Sequence, residues 1–328
     1  MYRIQILYIR PMEFRKLIKF GEASYVVSLP KEWTVKNNLK KGDLISIEED
    51  QDSLRLTPNN RGQRKKDPAK EVMIEFEELK PFRSELMYAY INGFSPITVT
   101  GKTMNKHWKQ IREIVANFAG LEVIQQTPDK IVLKDLLNIQ EISIHDIMRR
   151  IDRINSSMSE DVAAYLKGEK NTSLTETLHQ RETDVDKLTS VIFKTLKRAF
   201  EPHDRKALNL RLDDVFYYWE LALFLEKIAD ELKRIPFHIK GGIPKEGVAA
   251  FEEAMEQYKN AMQAHFTNDP RLAMKVLGKR VVVYNTIEKC MSKVKLKEIP
   301  GLEKFKLINN ESGNIAGVLL KLNYKKEK

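Results

Sequence analysis

Residues 14–58 read FRKLIKFGEASYVVSLPKEWTVKNNLKKGDLISIEEDQDSLRLTP, and the punctuation of this stretch decides the architecture of the front of the chain. Arg15–Phe20 and Tyr25–Leu29 alternate or carry β-branched residues on either side of Gly21, which predicts two short strands around a turn. Pro30 suits the opening of a brief helix, where its missing N–H costs nothing. Gly42-Asp43 and Asp50–Ser53 are turn signals before Leu44–Glu48 and Leu54–Thr57, so a second strand pair is predicted. Positive charge gathers at the front of the segment. A module this small cannot bury a core alone, so it is expected to dimerise. A dimeric β module with a basic face is a common way to present a protein to DNA.

The chain has 328 residues, room for two or three domains at about 100–200 residues each. A formal net charge of +10 and a sequence pI near 9.3 suit an acidic partner such as nucleic acid or an anionic surface, and suit equally a surface of solvated lysines. The lone Cys290 excludes an internal disulfide and a Cys-rich zinc finger. It falls in an apolar helical pattern and is expected to be buried, which fits a reducing, cytoplasmic setting. No run approaches the roughly 20 apolar residues of a membrane helix, so no membrane insertion is expected. Met1–Ile9 lacks the layout of a signal peptide, and the similar start at Met12 marks the first eleven residues as a candidate translation-start extension.

Beyond the first module, residues 59–70 (NNRGQRKKDPAK) carry five Lys or Arg against Asp67. They read either as a solvated hinge or as a basic tether that follows phosphates. Residues 71–137 read as a small α/β unit. Val72–Phe76 and Pro96–Thr100 are strand-like, and Arg83–Asn92 and Asn105–Ala119 are helical. Leu121–Gln125 and Lys130–Leu133 suit a hairpin about Pro128-Asp129. From Ser143 to about Leu322 the pattern is helical, opening on a Ser143–Asp146 capping arrangement. Breaks at 168–173, 202–204, 236–244, 268–270 and 300–301 divide it into six helices, which split into two sets of three.

Two of these helices carry paired acids. Glu182 and Asp186 are four residues apart, as are Glu226 and Asp230, so each pair lies on one helix face. Like charges at that spacing repel by about 0.2–0.5 kcal/mol in an isolated helix. Two pairs on consecutive long helices read either as ordinary charged faces or as an oxygen-rich site for a hard cation such as Mg, Mn or ferric iron, with zinc also accommodated. His179, one turn before Glu182, is either a surface residue or an added nitrogen ligand.

The string Gly21–Trp33 (GEASYVVSLPKEW), followed by Leu39–Asp43 (LKKGD), resembles the AbrB/SpoVT swapped-hairpin DNA-binding domain, and more closely its version fused to archaeal PhoU-like proteins. The region after Ser143 resembles PhoU, a phosphate-uptake regulator built from two three-helix repeats. The resemblance implies an α+β multidomain chain. Its parts would be a dimeric swapped-hairpin module at 12–58, the basic linker at 59–70, the α/β unit at 71–137 and a PhoU-like bundle at 143–322, with repeats at 143–235 and 244–322. It further implies a metal-binding acidic motif at Glu182, Asp186, Glu226 and Asp230, for iron or zinc. In the second repeat it places Arg280, Tyr284, Lys306 and Asn310 in the corresponding slots, where the acids are lost.

For DNA the candidates are Arg15, Lys16, Lys19, Lys31 and Lys36, with Thr34 and Val35 standing where AbrB-type domains often place arginines. Asp43 is expected to shape its turn and Trp33 to pack in the dimer core. The function so implied is a cytoplasmic, non-enzymatic transcription regulator of phosphate uptake, a homodimer on DNA whose partners include the phosphate transporter or a sensor kinase. The alternative is an adaptor that regulates that transporter or kinase by protein contact without touching DNA. A metal-dependent hydrolase is the remaining reading, against which stand the lack of a histidine base and of a glycine-rich phosphate loop.

Overall fold

The computed structural model describes residues 13–50, 53–58, 71–138 and 141–323. The leading residues through Met12 and the basic segment 59–70 lie outside the described residues, so the start extension and the hinge or tether readings find no structural answer. The chain is α+β and divides between residues 68 and 69 into two compact units.

In the N-terminal unit, hereafter the head, β1 (Ile18–Phe20) pairs antiparallel with β2 (Ser24–Val26), setting Lys19 opposite Tyr25. The strands are shorter than the alternation predicts, because a strand residue needs a ladder partner and Val27–Leu29 find none among the described residues. Helix α1 (Lys31–Lys36) starts directly after Pro30, whose carbonyl accepts from the Thr34 N–H at 3.1 Å. A second antiparallel pair, β3 (Ile45–Asp50) and β4 (Ser53–Pro58), closes the unit. Asp43 shapes the turn before it: its Oδ2 accepts from the Lys40 N–H at 2.7 Å, and Gly42 takes a φ of +95° that other residues rarely adopt. None of the described side chains of the head is buried. Phe20 is 71% exposed, Tyr25 65%, Ile47 64% and Leu54 67%.

The second unit opens with a four-stranded sheet ordered β5-β6-β8-β7. β5 (Val72–Glu75) runs parallel to β6 (Ile97–Thr100), β6 antiparallel to β8 (Lys130–Asp135), and β8 antiparallel to β7 (Leu121–Thr127) across the Pro128-Asp129 turn. Helices α2 (Leu79–Ile91) and α3 (Trp108–Ala116) pack against it. A 3-10 turn at Met104–His107 replaces the first turn of the helix predicted from Asn105. Phe82, Leu86, Ile97, Val99, Ile111 and Leu133 fill its core.

The bundle follows: α4 (Ile144–Leu166), α5 (Leu174–Arg198), a short α6 (Pro202–Ala207), α7 (Leu212–His238), α8 (Lys245–Thr267), α9 (Pro270–Met291) and α10 (Ile299–Asn323). The Ser143 hydroxyl caps α4 by accepting from the Asp146 N–H at 3.2 Å. Helices α4, α5 and α7 pack on one another, α8, α9 and α10 do likewise, and α7–α10 and α4–α8 contacts join the two sets. Three predicted breaks move, the one at 202–204 being itself the short helix α6. Helix α7 runs through Pro236 to His238, since a proline so near the C-terminal end forfeits one hydrogen bond and little else. The sixth helix begins at Ile299, with Pro300 inside its first turn where no N–H is needed. The gap before it lies at 292–295, followed by a 3-10 turn at Leu296–Glu298. Gly301 is required there by packing: a Cβ would sit 2.5 Å from Ile239 Cγ1. Cys290 is free and buried. Among the described residues no helix is long and apolar enough to cross a membrane.

The sheet is fastened to the bundle through α5. Lys194 of α5 is 1% exposed, ion-pairs with Asp135 at the end of β8, and stands 4.1 Å from the centroid of the Tyr90 ring. Burial pushes the Lys194 ammonium pKa down and Asp135 pulls it part of the way back. One turn earlier the Ser190 hydroxyl meets Met87 Sδ at 3.6 Å, and two turns earlier Lys187 Nζ donates to the Ala116 carbonyl at 2.7 Å. Removing one partner of a buried pair leaves the other charge stranded, at a cost of about 3–5 kcal/mol. Lys194→Met is therefore expected to lower stability by about 3 kcal/mol, and the double variant Lys194→Met/Asp135→Asn to recover most of the loss. Urea unfolding at pH 7 checks both.

Candidate functional site

Two places in the chain carry the chemistry singled out by sequence, and each is described within its own unit. In the head, charge is segregated along the chain. Residues 15–41 hold seven Lys or Arg and two Glu, whereas residues 43–58 hold one Arg and five Asp or Glu. Lys19 sits in β1, Lys31 and Lys36 open and close α1, and Arg15 and Lys16 lead into β1; all five are exposed. Arg15 ion-pairs locally with Glu13. Thr34, half-buried, donates from its hydroxyl to the Lys31 carbonyl at 2.8 Å, one turn back in the same helix, and Trp33 is half-buried beside it. The basic part of the head is thus the first hairpin with α1, and the acidic part is the second hairpin.

In the bundle, α5 packs against α7, which brings both acid pairs together. Glu182 is buried, and Asp186, Glu226 and Asp230 are half-buried. Their mutual influence is visible in their ionisation. Burial, then repulsion from Asp186, Asp230 and Glu182, raises the Glu226 carboxyl from 4.5 to about 7. Burial, then Glu182, raises Asp186 from 3.8 to about 6.

The compensating charges come from three cations that sequence reading missed. Lys233 Nζ lies 2.6 Å from Glu182 Oε1 and 3.2 Å from Asp230 Oδ1. Burial opposes the charge on Lys233, but the Glu182 and Asp230 carboxylates outweigh it and hold its pKa above the usual lysine range. Arg234 reaches Asp230 Oδ2 at 2.6 Å, and Arg83, from α2 of the sheet, reaches Asp186 Oδ2 at 3.3 Å. His179 Nδ1 stands 3.7 Å from Glu182 Oε2. Glu226 makes no ion pair or hydrogen bond among the described residues. Lys233 and Arg234 are three and four residues after Asp230, a spacing that places them on its helix face and that the sequence displays. Arg83 gave no such signal, because only the tertiary fold brings it near Asp186.

Two of the four carboxylates resist full ionisation beside their neighbours. Lys233 already serves two of them, so an added ion competes with its ammonium. Among the described residues no group of three or more His, Cys, Asp or Glu side chains is arranged to hold a metal ion as the chain stands.

The slots assigned to the second helix set also meet, with different chemistry. Arg280 donates from Nε and Nη2 to Asn310 Oδ1 at 3.3 and 3.2 Å, and Asn309 Nδ2 donates to the Arg280 carbonyl at 2.9 Å. Lys306 pairs with Glu288 at 2.5 Å and Glu303 at 3.1 Å and lies 4.9 Å from the Tyr284 ring centroid. These cations are held by neighbouring acids and an amide.

Residues 18–64 match the family model for the MazE bacterial antitoxin, described as antidote-toxin recognition. The head is therefore similar to the AbrB/MazE type of module, over a segment far shorter than half of the chain. No curated protein and no solved structure matches the chain.

The raised carboxyl of Glu226 has a consequence for stability. Between its ordinary value and about 7 the folded chain binds more protons than the unfolded one, so stability falls as pH rises through that window and the cost is complete above it. Glu226→Gln is expected to gain about 1–2 kcal/mol at pH 8, after discounting a half-buried group for solvent screening, and almost nothing at pH 4.5. Urea midpoints of the two proteins at both pH values test this; parallel pH profiles would assign the titration elsewhere.

Proposed function

We propose that the chain is a DNA-binding transcription regulator. Its head grips DNA as a homodimer, and its helical body relays a cytoplasmic signal tied to phosphate uptake. The observation that carries the DNA reading is the state of the head: no buried side chain among those described, a broad exposed apolar surface, and cations concentrated on the first hairpin and α1. Full burial of each large apolar side chain is worth about 1.5–3 kcal/mol, so a second copy of the head is the natural cover for Phe20, Tyr25, Ile47 and Leu54. Pairing two heads sets two basic faces side by side, the arrangement a phosphate backbone attracts. The similarity to the MazE model supports the same reading.

The phosphate link and the PhoU-like role of the body rest on the resemblance of residues 143–322. The partition of six long helices into two mutually packed sets, among the described residues, supports it. In this reading the body is not an enzyme, and its partners are a phosphate transporter or a sensor kinase. Glu182, Asp186, Glu226 and Asp230 would hold a divalent or ferric ion, with Lys233 the group displaced. Such an ion supplies positive charge that lets all four carboxylates ionise together. The adaptor reading has one observation in its favour: Thr34 and Val35 occupy positions where AbrB-type domains often carry arginines, and the Thr34 hydroxyl is engaged by the Lys31 carbonyl.

A gel shift with promoter DNA at several salt concentrations separates the two readings. Binding whose logarithm falls linearly with log salt is expected, and Lys31→Ala or Arg15→Ala should each reduce the slope by about 0.9. Absent or salt-insensitive binding leaves the adaptor. For the ion, metal analysis of the purified chain against Glu182→Ala/Asp230→Ala is expected to show loss of metal in the variant. Equal content in both would discard these ligands.

A further inference from the structure

We propose that the outward face of α9 is a docking site for an acidic amphipathic helix of a partner protein. Met274, Val281 and Val282 of this helix are 55%, 65% and 63% exposed, although they lie in the middle of a well-packed bundle element. Helical spacing puts them on one line with Gly278. Gly278 is helical, and no atom lies within 4 Å of where its Cβ would be, so neither backbone shape nor packing within the chain calls for glycine. Glycine inside a helix is unfavourable by about 1 kcal/mol relative to alanine. What it provides is a notch in the apolar line, into which a side chain of an approaching helix fits.

The charge beside this line selects the visitor. Arg271, Lys275 and Lys279 recur every four residues along one flank, all exposed, and none forms an ion pair among the described residues. Lys233, Lys304 and Lys306 of the body, by contrast, each have a carboxylate partner. Three free cations on one flank complement a row of acids on one flank of a helix. The other flank carries Glu288, whose charge is matched by Lys306. The apolar line from Met274 to Val282 spans about 12 Å at 1.5 Å per residue, the length of a two-turn helix contact. This proposal does not depend on the reading of the head or of the acid cluster.

The test uses the full chain and a fluorescein-labelled helical peptide of about 18 residues, with leucines on one face and glutamates along one flank. A second peptide carries lysines in place of the glutamates. The glutamate peptide is expected to bind at least about tenfold more tightly in fluorescence anisotropy, with a preference that weakens as salt rises. Lys275→Glu/Lys279→Glu should reverse the preference between peptides. Gly278→Leu, which fills the notch without touching the interior, should weaken binding about tenfold while leaving the circular dichroism and melting temperature of the chain unchanged or raised. Equal binding of the two peptides, no binding of either, or binding untouched by these variants would overturn the proposal. So would recruitment to phosphatidylglycerol vesicles without peptide binding, or a fall in sedimentation mass in the α9 variants, which would assign the face to a membrane or to a second copy.

Discussion

Four carboxylates gathered between α5 and α7 cannot all stay charged without compensation, and much of the second unit is arranged around that constraint. Lys233 bridges two of the acids from within α7, Arg234 adds a second cation from the same helix, and Arg83 reaches in from α2 of the sheet. The compensation remains incomplete: Asp186 and Glu226 are pushed up by burial and by each other's neighbours. Because one of the compensating charges belongs to the sheet, the electrostatics of the cluster and the docking of the sheet are a single problem. The same helix carries the buried Lys194 that pairs with Asp135, two turns further along. Helix α5 is therefore at once a wall of the bundle, a platform for the sheet and the bearer of half the acids.

The head obeys the opposite constraint. Its described residues make two separate hairpins and one short helix, with no side chain withdrawn from solvent. Hydrogen bonds in two separate strand pairs, one of three-residue and one of six-residue strands, cannot hold such a unit against chain entropy, because an isolated two-stranded hairpin is marginal in water. Its apolar residues define a surface without an interior. Its charges add a direction, since the cations lie in the first hairpin and α1 and the acids in the second hairpin. A body with a self-sufficient core thus follows a head that needs cover.

How far this was legible in the sequence depends on the range of the interaction involved. Features fixed by neighbours in the chain were readable. The Gly42-Asp43 turn, the Ser143 cap, the Pro128-Asp129 hairpin and the placement of Glu182 with Asp186 all follow from spacings of a few residues. Pro236 and Pro300 misplaced two helix ends, since a proline marks a boundary only when its position in the turn is known, and both lie within a terminal turn where the helix tolerates them. The convergence of α5 with α7 was anticipated from the order of the helices. Lys233 was legible from its distance to Asp230 but is informative only once Glu182 is known to stand opposite. Arg83, and the pair of Lys194 with Asp135, span long stretches of chain. No periodicity encodes them.

The second helix set clarifies what the acid cluster does to the bundle. There, Arg280 is held by Asn310, and Lys306 by Glu288, Glu303 and the face of Tyr284. Arg280 and Lys306 thus find their partners within the same set of helices, whereas Lys304 and Glu311 of α10 reach across to Glu231 and Lys227 of α7. The first set is different: its acids outnumber the cations that α5 and α7 supply, and the balance is drawn from the sheet. Adding or removing a positive charge at the cluster must alter the share carried by Arg83, and with it the grip of α2 on α5. The body is therefore asymmetric in its response. The asymmetry lies at the slots themselves: Asp186 takes Arg83 from the sheet, Arg280 and Lys306 are matched inside α9 and α10, and the pairs Lys304–Glu231 and Lys227–Glu311 tie the two sets together.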